Sequence, residues 1–147
     1  MQITDQEYFK IERFSHSAMK NFEQSPLHYL HEKRTPKEET PALVLGTAFH
    51  CAILEPEKYE TAYVVAPHVD RRTTIGKQTW EAFCQQAEGK KILSAETALQ
   101  IMKMRDALYN NPPAKDLLDN ITETEKALLW TQPETGVECK GKLDGIG

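Results

Sequence analysis

From Pro41 to Leu54 the apolar positions Leu45, Phe49, Ala52 and Ile53 recur at helical spacing, and Glu55-Pro56 ends the run. This pattern predicts the most buried of the early helices. Trp80, Phe83, Cys84 and Ala87 stand at i, i+3, i+4 and i+7, which predicts an amphipathic helix with Gly89 just past its end. A third stripe, Ala98, Ile101, Met102, Arg105 and Leu108, follows the cap residue Ser94 and stops at Pro112-Pro113; Arg105 is the anomaly on it. Two shorter helices are expected earlier. Ser15-His16-Ser17 offers a cap ahead of Met19 and Phe22, and Ser25-Pro26 restarts the chain into a helix from Pro26 to Lys33. The polar run from Arg34 to Thr40 reads as a loop.

The period changes near the end. Glu125 to Trp130 and Val137 to Asp144 read as two strands joined by the turn-rich Gln132-Pro133-Glu134-Thr135-Gly136. On the second strand Val137, Cys139, Gly141 and Leu143 share one face, which leaves Glu138, Lys140, Lys142 and Asp144 on the other. Tyr63-Val64-Val65 is a short β-prone run, followed by a polar loop from Pro67 to Thr74. The expected class is α+β, helix-rich first and a β-hairpin last, as one domain over residues 1–147 with no internal repeat.

Composition narrows the class further. The chain has 147 residues, 39% hydrophobic, with a net charge of -4, which suits one soluble globular domain. No apolar stretch is long enough to span a membrane, and Met1 to Phe14 is too charged for a secretory signal, so a cytoplasmic location is expected. Cys51, Cys84 and Cys139 are odd in number and far apart, which excludes a paired disulfide framework and a CxxC zinc site. They read as buried thiols. The mildly acidic balance argues against a wholly electrostatic nucleic-acid binder and leaves room for local basic patches.

Three groups of residues bear on chemistry. Gly46-Thr47-Ala48-Phe49-His50 puts a glycine one helical turn before a histidine, which would let another backbone approach and leave His50 facing a crevice. A histidine satisfied by a backbone carbonyl is the alternative. Glu125 and Asp144 lie on adjacent strands and, with a neutral imidazole, would make a hard-cation site suited to magnesium or manganese; two solvated strand residues are the alternative. Arg71, Arg72 and Lys77 could clamp phosphate oxygens, or form an ordinary solvated loop. His28 and His31 have no third ligand in view. Gly76-Lys77 is not a nucleotide loop, because Arg71 stands where its first glycine belongs.

Taken in order, these motifs form a larger pattern. They are Ser15-His16-Ser17, Ser25-Pro26-Leu27-His28-Tyr29, Gly46 to His50 with Leu54-Glu55-Pro56, Asp70-Arg71-Arg72-Thr73 with Gly76-Lys77, Glu125 to Trp130, and Cys139 to Asp144. In this order the chain resembles the exonuclease VIII (RecE-like) branch of the PD-(D/E)xK nuclease superfamily. The resemblance implies a central mixed sheet flanked by helices and ATP-independent cutting of DNA with Mg2+ or Mn2+. It makes His50 and Asp144 metal ligands, Glu125 a further acidic residue of the catalytic pocket, and Ser17, Ser25 and Tyr29 substrate contacts. Arg71, Arg72 and Lys77 would guide the DNA backbone.

The implied activity of the full-length parent is exodeoxyribonuclease action on linear duplex ends, 5′ to 3′, in recombination or repair of the prophage kind. Its implied partners are duplex DNA and a recombination annealing protein. The family pattern continues past Asp144 to a second acidic ligand and the lysine of (D/E)xK. The 147 residues end before both, so this chain alone is expected to have an incomplete active site, and its unpaired sheet edge calls for a partner, self-association among them, a strand swap or a partial core. The alternatives are a non-catalytic nuclease relative that binds DNA or a partner protein, and a helical adaptor with no DNA role.

Overall fold

A computed structural model of the chain describes residues 3–36 and 38–147; Lys37, within the expected Arg34 to Thr40 loop, lies outside the described residues. In chain order the elements are α1 (Asp5–Lys10), α2 (His16–Gln24), α3 (Pro26–Arg34), α4 (Pro41–Leu54), α5 (Pro56–Ala62), β1 (Tyr63–Val65) and α6 (Thr74–Gln86). There follow β2 (Lys91–Leu93), α7 (Ala95–Tyr109), α8 (Pro112–Asp119), β3 (Glu123–Thr131) and β4 (Glu138–Ile146). The class is α+β, as the patterning predicts. Two compact units form, one from the chain up to Glu38 together with Asn120–Gly147, the other from Glu39–Asp119.

The first unit is built on the hairpin. β3 and β4 pair antiparallel with Trp130 opposite Cys139, Leu128 opposite Gly141 and Ala127 opposite Lys142. The connecting turn closes where the Gly136 amide donates to the Gln132 carbonyl at 2.8 Å, and Gly136 takes the left-handed φ of 68° that such a turn asks of a glycine. Phe14 adds a parallel bridge along β4: its amide donates to Glu138 O at 2.9 Å and its carbonyl accepts from the Lys140 amide at 2.8 Å. Helices α2 and α3 meet at Ser25. Its amide donates to Asn21 O at the end of α2, and its Oγ accepts from the His28 amide at the start of α3. Phe14, Phe22 and Tyr29 pack beside this corner, Phe14 stacked on Tyr29 at 5.6 Å between ring centroids.

In the second unit Thr40 caps α4 and Pro41 occupies its first position, where the missing N–H costs nothing. Ala48 and Ala52 from α4, Leu93 from β2 and Ile101 from α7 make the core, with Val44, Leu45, Phe49, Tyr59 and Tyr63 packed against it. The short strands β1 and β2 pair in parallel, Val64 opposite Ile92, and the chain between them crosses over through α6. Among the described residues the strands thus form two separate two-stranded sheets.

Three expectations need correction. Cys51 and Cys139 are buried, but Cys84 is exposed, because α6 turns Trp80 and Phe83 inward and leaves position 84 outside. On α7 Met102 is 51% exposed and Arg105 is exposed as well, while Ala98, Ile101, Met104 and Leu108 form the inner line. The apparent anomaly of a charge in the stripe disappears with that rotation. The close backbone approach expected at Gly46 is not made within this unit, since nothing lies within 4 Å of where a Cβ would stand. Helices α1, α5 and α8 and strand β2 are additional to the patterned elements. Each helix has a local start: the Thr4/Glu7 capping box, Pro56, and Asn111, whose side chain accepts from the Ala114 amide at 3.1 Å.

Candidate metal centre and nucleic-acid surface

Glu125 and Asp144 face each other across the hairpin. The ladder pairs Thr124 with Gly145 and Lys126 with Leu143, and Glu125 between them steps out of it with a left-handed φ of 56°. That conformation is uncommon for a residue with a side chain and costs on the order of 1–3 kcal/mol, a cost often found at functional positions. A carboxylate oxygen of Glu125 and one of Asp144 come within 4.8 Å of each other. Two hard oxygen donors at this spacing suit Mg2+ or Mn2+ in their chemistry.

Lys142 completes the local charge pattern. Its ammonium pairs with Oε2 of Glu125, and both side chains are largely withdrawn from solvent. Lys140, assigned to the same face in the strand pattern, is engaged elsewhere. Its Nζ donates to the carbonyls of Tyr8 and Ile11 at 3.0 Å each and lies 4.6 Å from the Tyr8 ring centroid. Burial pushes its pKa down. It fastens the end of α1 to the hairpin.

His50 stands on α4 in the second unit, one turn after Gly46 and one turn before the end of the helix at Leu54. Arg71, Arg72 and Lys77 belong to the same unit and surround the start of α6. There Asp70 Oδ1 accepts from the Arg72 amide at 3.0 Å, and Thr73 Oγ1 accepts from the Gly76 amide at 3.0 Å while donating to Asp70 O. The turn is tight enough that a Cβ on Gly76 would sit 1.9 Å from Asp70 O. Arg71 lies over the Trp80 ring, 4.5 Å from its centroid, beside a cavity of about 370 Å3 lined by His68, Trp80, Ile92 and Ser94. Arg72 and Lys77 are exposed.

The remaining sequence candidates sit in the first unit. Ser17 is exposed on α2, Ser25 is the double cap described above, and Tyr29 is half-buried in the aromatic cluster. Tyr29 also lines a cavity of about 730 Å3 with Arg13, Phe14, Lys33 and Lys140. The strand alternation puts Lys142 on the face of Asp144 without giving it a role; its position opposite an alanine, diagonal to Glu125, is the signal that brings it to the carboxylates.

An α+β chain whose hairpin opposes two carboxylates falls in a recognisable class. Residues 15–146 match the family described as a PDDEXK-like domain of unknown function (DUF3799), and the chain belongs to that family. Its fold is accordingly nuclease-like. No curated protein matches the chain. Among the described residues no helix is long and apolar enough to cross a membrane.

Proposed function

We propose that this domain serves a divalent-metal-dependent, ATP-independent exodeoxyribonuclease of the exonuclease VIII type, which works in the cytoplasm on the ends of linear duplex DNA. The observation that carries the reading is the Glu125–Asp144 carboxylate pair on the hairpin of a chain from a PDDEXK-like family. In this reading His50 and Asp144 hold Mg2+ or Mn2+ and Glu125 shapes the acidic pocket. A divalent ion held there would supply Lewis-acid polarisation of the scissile phosphate and a lowered pKa for bound water. Arg71, Arg72 and Lys77 take the DNA backbone, and Ser17, Ser25 and Tyr29 lie toward substrate. The resemblance adds 5′ to 3′ polarity, a role in recombination or repair, an annealing-protein partner and self-association.

Metal binding is the direct test, because the second acidic ligand and lysine of (D/E)xK are not matched within these 147 residues. Titration with manganese is expected to show saturable binding that Asp144→Asn abolishes and His50→Ala weakens. Equal affinity in the two variants and the wild type would remove the site. Cleavage of linear against closed circular duplex, on a chain that carries the (D/E)xK strand, separates an exonuclease from an endonuclease. Duplex binding with no manganese affinity would favour the non-catalytic relative.

A further inference from the structure

Lys142 precedes Asp144 by two residues on β4, so both side chains emerge on the same face of the hairpin. Its ammonium does not extend into solvent. It crosses the hairpin diagonally to Oε2 of Glu125, and the two side chains are only 18% and 17% exposed. The path depends on Ala127, which stands directly opposite Lys142 and whose methyl group leaves the lysine stem room to reach the residue two places earlier on β3. At that end Glu125 is held in its left-handed conformation, with a carboxylate oxygen within 4.8 Å of Asp144. The lysine therefore places a positive charge on one of two carboxylates that a divalent ion would share.

Such an ammonium is a tethered monovalent cation. A divalent ion that takes Glu125 has to displace it or share the carboxylate with it at a cost in repulsion, and either lowers apparent metal affinity. A DNA phosphate arriving at the same face offers the ammonium another anion. Affinity for metal and for DNA must then rise together, since coupling between two binding events is reciprocal.

Building on the metal-site reading above, we infer that Lys142 is an internal competitor for the divalent ion, holding Glu125 until a backbone phosphate draws it off, so that metal loading is coupled to DNA binding. The test is manganese affinity by titration calorimetry, with and without a phosphorothioate duplex that resists cleavage. Lys142→Met keeps the length of the stem without the charge and is expected to tighten manganese binding about tenfold, the scale of one partly buried ion pair. Lys142→Arg keeps the charge and is expected to bind like the wild type, which separates charge from packing. The gain should vanish when Glu125→Gln is combined with Lys142→Met. The duplex should raise manganese affinity more in the wild type than in Lys142→Met.

Unchanged affinity in Lys142→Met, or an equal duplex effect in both proteins, overturns this inference. If Asp144→Asn still abolishes binding in that case, the metal site itself stands. Absence of manganese binding in the wild type and in Lys142→Met overturns both together, whereas binding that appears only in Lys142→Met supports the competitor.

Discussion

The guanidinium of Arg71 lies 4.5 Å from the centroid of the Trp80 ring, one residue from Arg72, whose side chain is 95% exposed. Adjacent arginines are thus in different states. One is oriented on an aromatic face, and the other projects into solvent with its amide and, at 3.5 Å, its Nε on Asp70 Oδ1. A guanidinium already oriented by stacking loses less freedom when it contacts a phosphate than a fully exposed one, and stacking leaves its edge N–H donors able to bind. In duplex binding followed against salt concentration, Arg72→Ala and Lys77→Ala are each expected to lower the salt slope by about 1. Trp80→Leu, which keeps every charge, should weaken binding while leaving the slope nearly unchanged. Wild-type affinity in Trp80→Leu would show that the stack does not serve DNA.

Gly76 is required by contact rather than by backbone freedom. A methyl group there would lie 1.9 Å from Asp70 O and 2.7 Å from Asp70 C, both backbone atoms that cannot rotate away. Gly76→Ala is therefore expected to cost about 2–3 kcal/mol and to open the turn that presents Arg71 and Arg72. Thermal unfolding reads the first effect, and loss of the ring-current shifts that the Trp80 ring imposes on the Arg71 side chain reads the second. A variant as stable as the wild type would show that the turn has room to shift.

Ser25 illustrates how a motif residue acquires two readings. Its hydroxyl accepts from the His28 amide at 3.0 Å, so its structural role is settled by geometry, whereas contact with substrate is a separate proposal. Ser25→Ala is expected to cost about 1 kcal/mol and Ser25→Asp close to nothing, because a carboxylate caps equally well. DNA binding distinguishes the roles. If Ser25 only caps, Ser25→Asp binds duplex as the wild type does; if it meets phosphate, the added negative charge weakens binding.

Most of the helices were legible because their signals are local. Pro41 to Leu54 agrees at both ends with α4, Ser15 of the Ser15-His16-Ser17 segment and Ser94 cap the helices that follow them, and the chain restarts at Ser25-Pro26. The short strand β2 was hidden because Lys91-Ile92-Leu93 is too brief to show alternation and exists through pairing with β1, some thirty residues earlier. The tilt of α6 and α7 was equally hidden: Cys84 and Met102 fit an apolar stripe by type, and only packing decides which edge of the stripe turns inward. At the site, the strand pattern brought Glu125 and Asp144 to adjacent strands, but a residue type cannot announce a left-handed φ. Nor could alternation distinguish Lys140 from Lys142. They share a face, yet one is bound by the carbonyls that end α1 and the other by Glu125.

The first helix should be sensitive to acid through a single carboxylate. Thr4 and Glu7 form a capping box: the Thr4 amide donates to Glu7 Oε2 at 2.9 Å, and the Thr4 hydroxyl donates to the same oxygen at 2.7 Å. The side-chain bond, then the backbone bond, hold the Glu7 pKa below its ordinary value of 4.5. Because the folded chain releases this proton more readily than the unfolded chain, the stabilisation is complete above pH 4.5 and is lost as pH falls through the lower folded value. Carbon-detected NMR titration should place the Glu7 midpoint below 4.5, and protection of the Tyr8 amide, which donates to Thr4 O at 2.8 Å, should fade over the same range. Thr4→Val removes the hydroxyl and is expected to move the midpoint back toward 4.5. An ordinary midpoint in the wild type would mean that the box does not form in solution, leaving α1 fastened at its C-terminal end by Lys140 on the Tyr8 and Ile11 carbonyls.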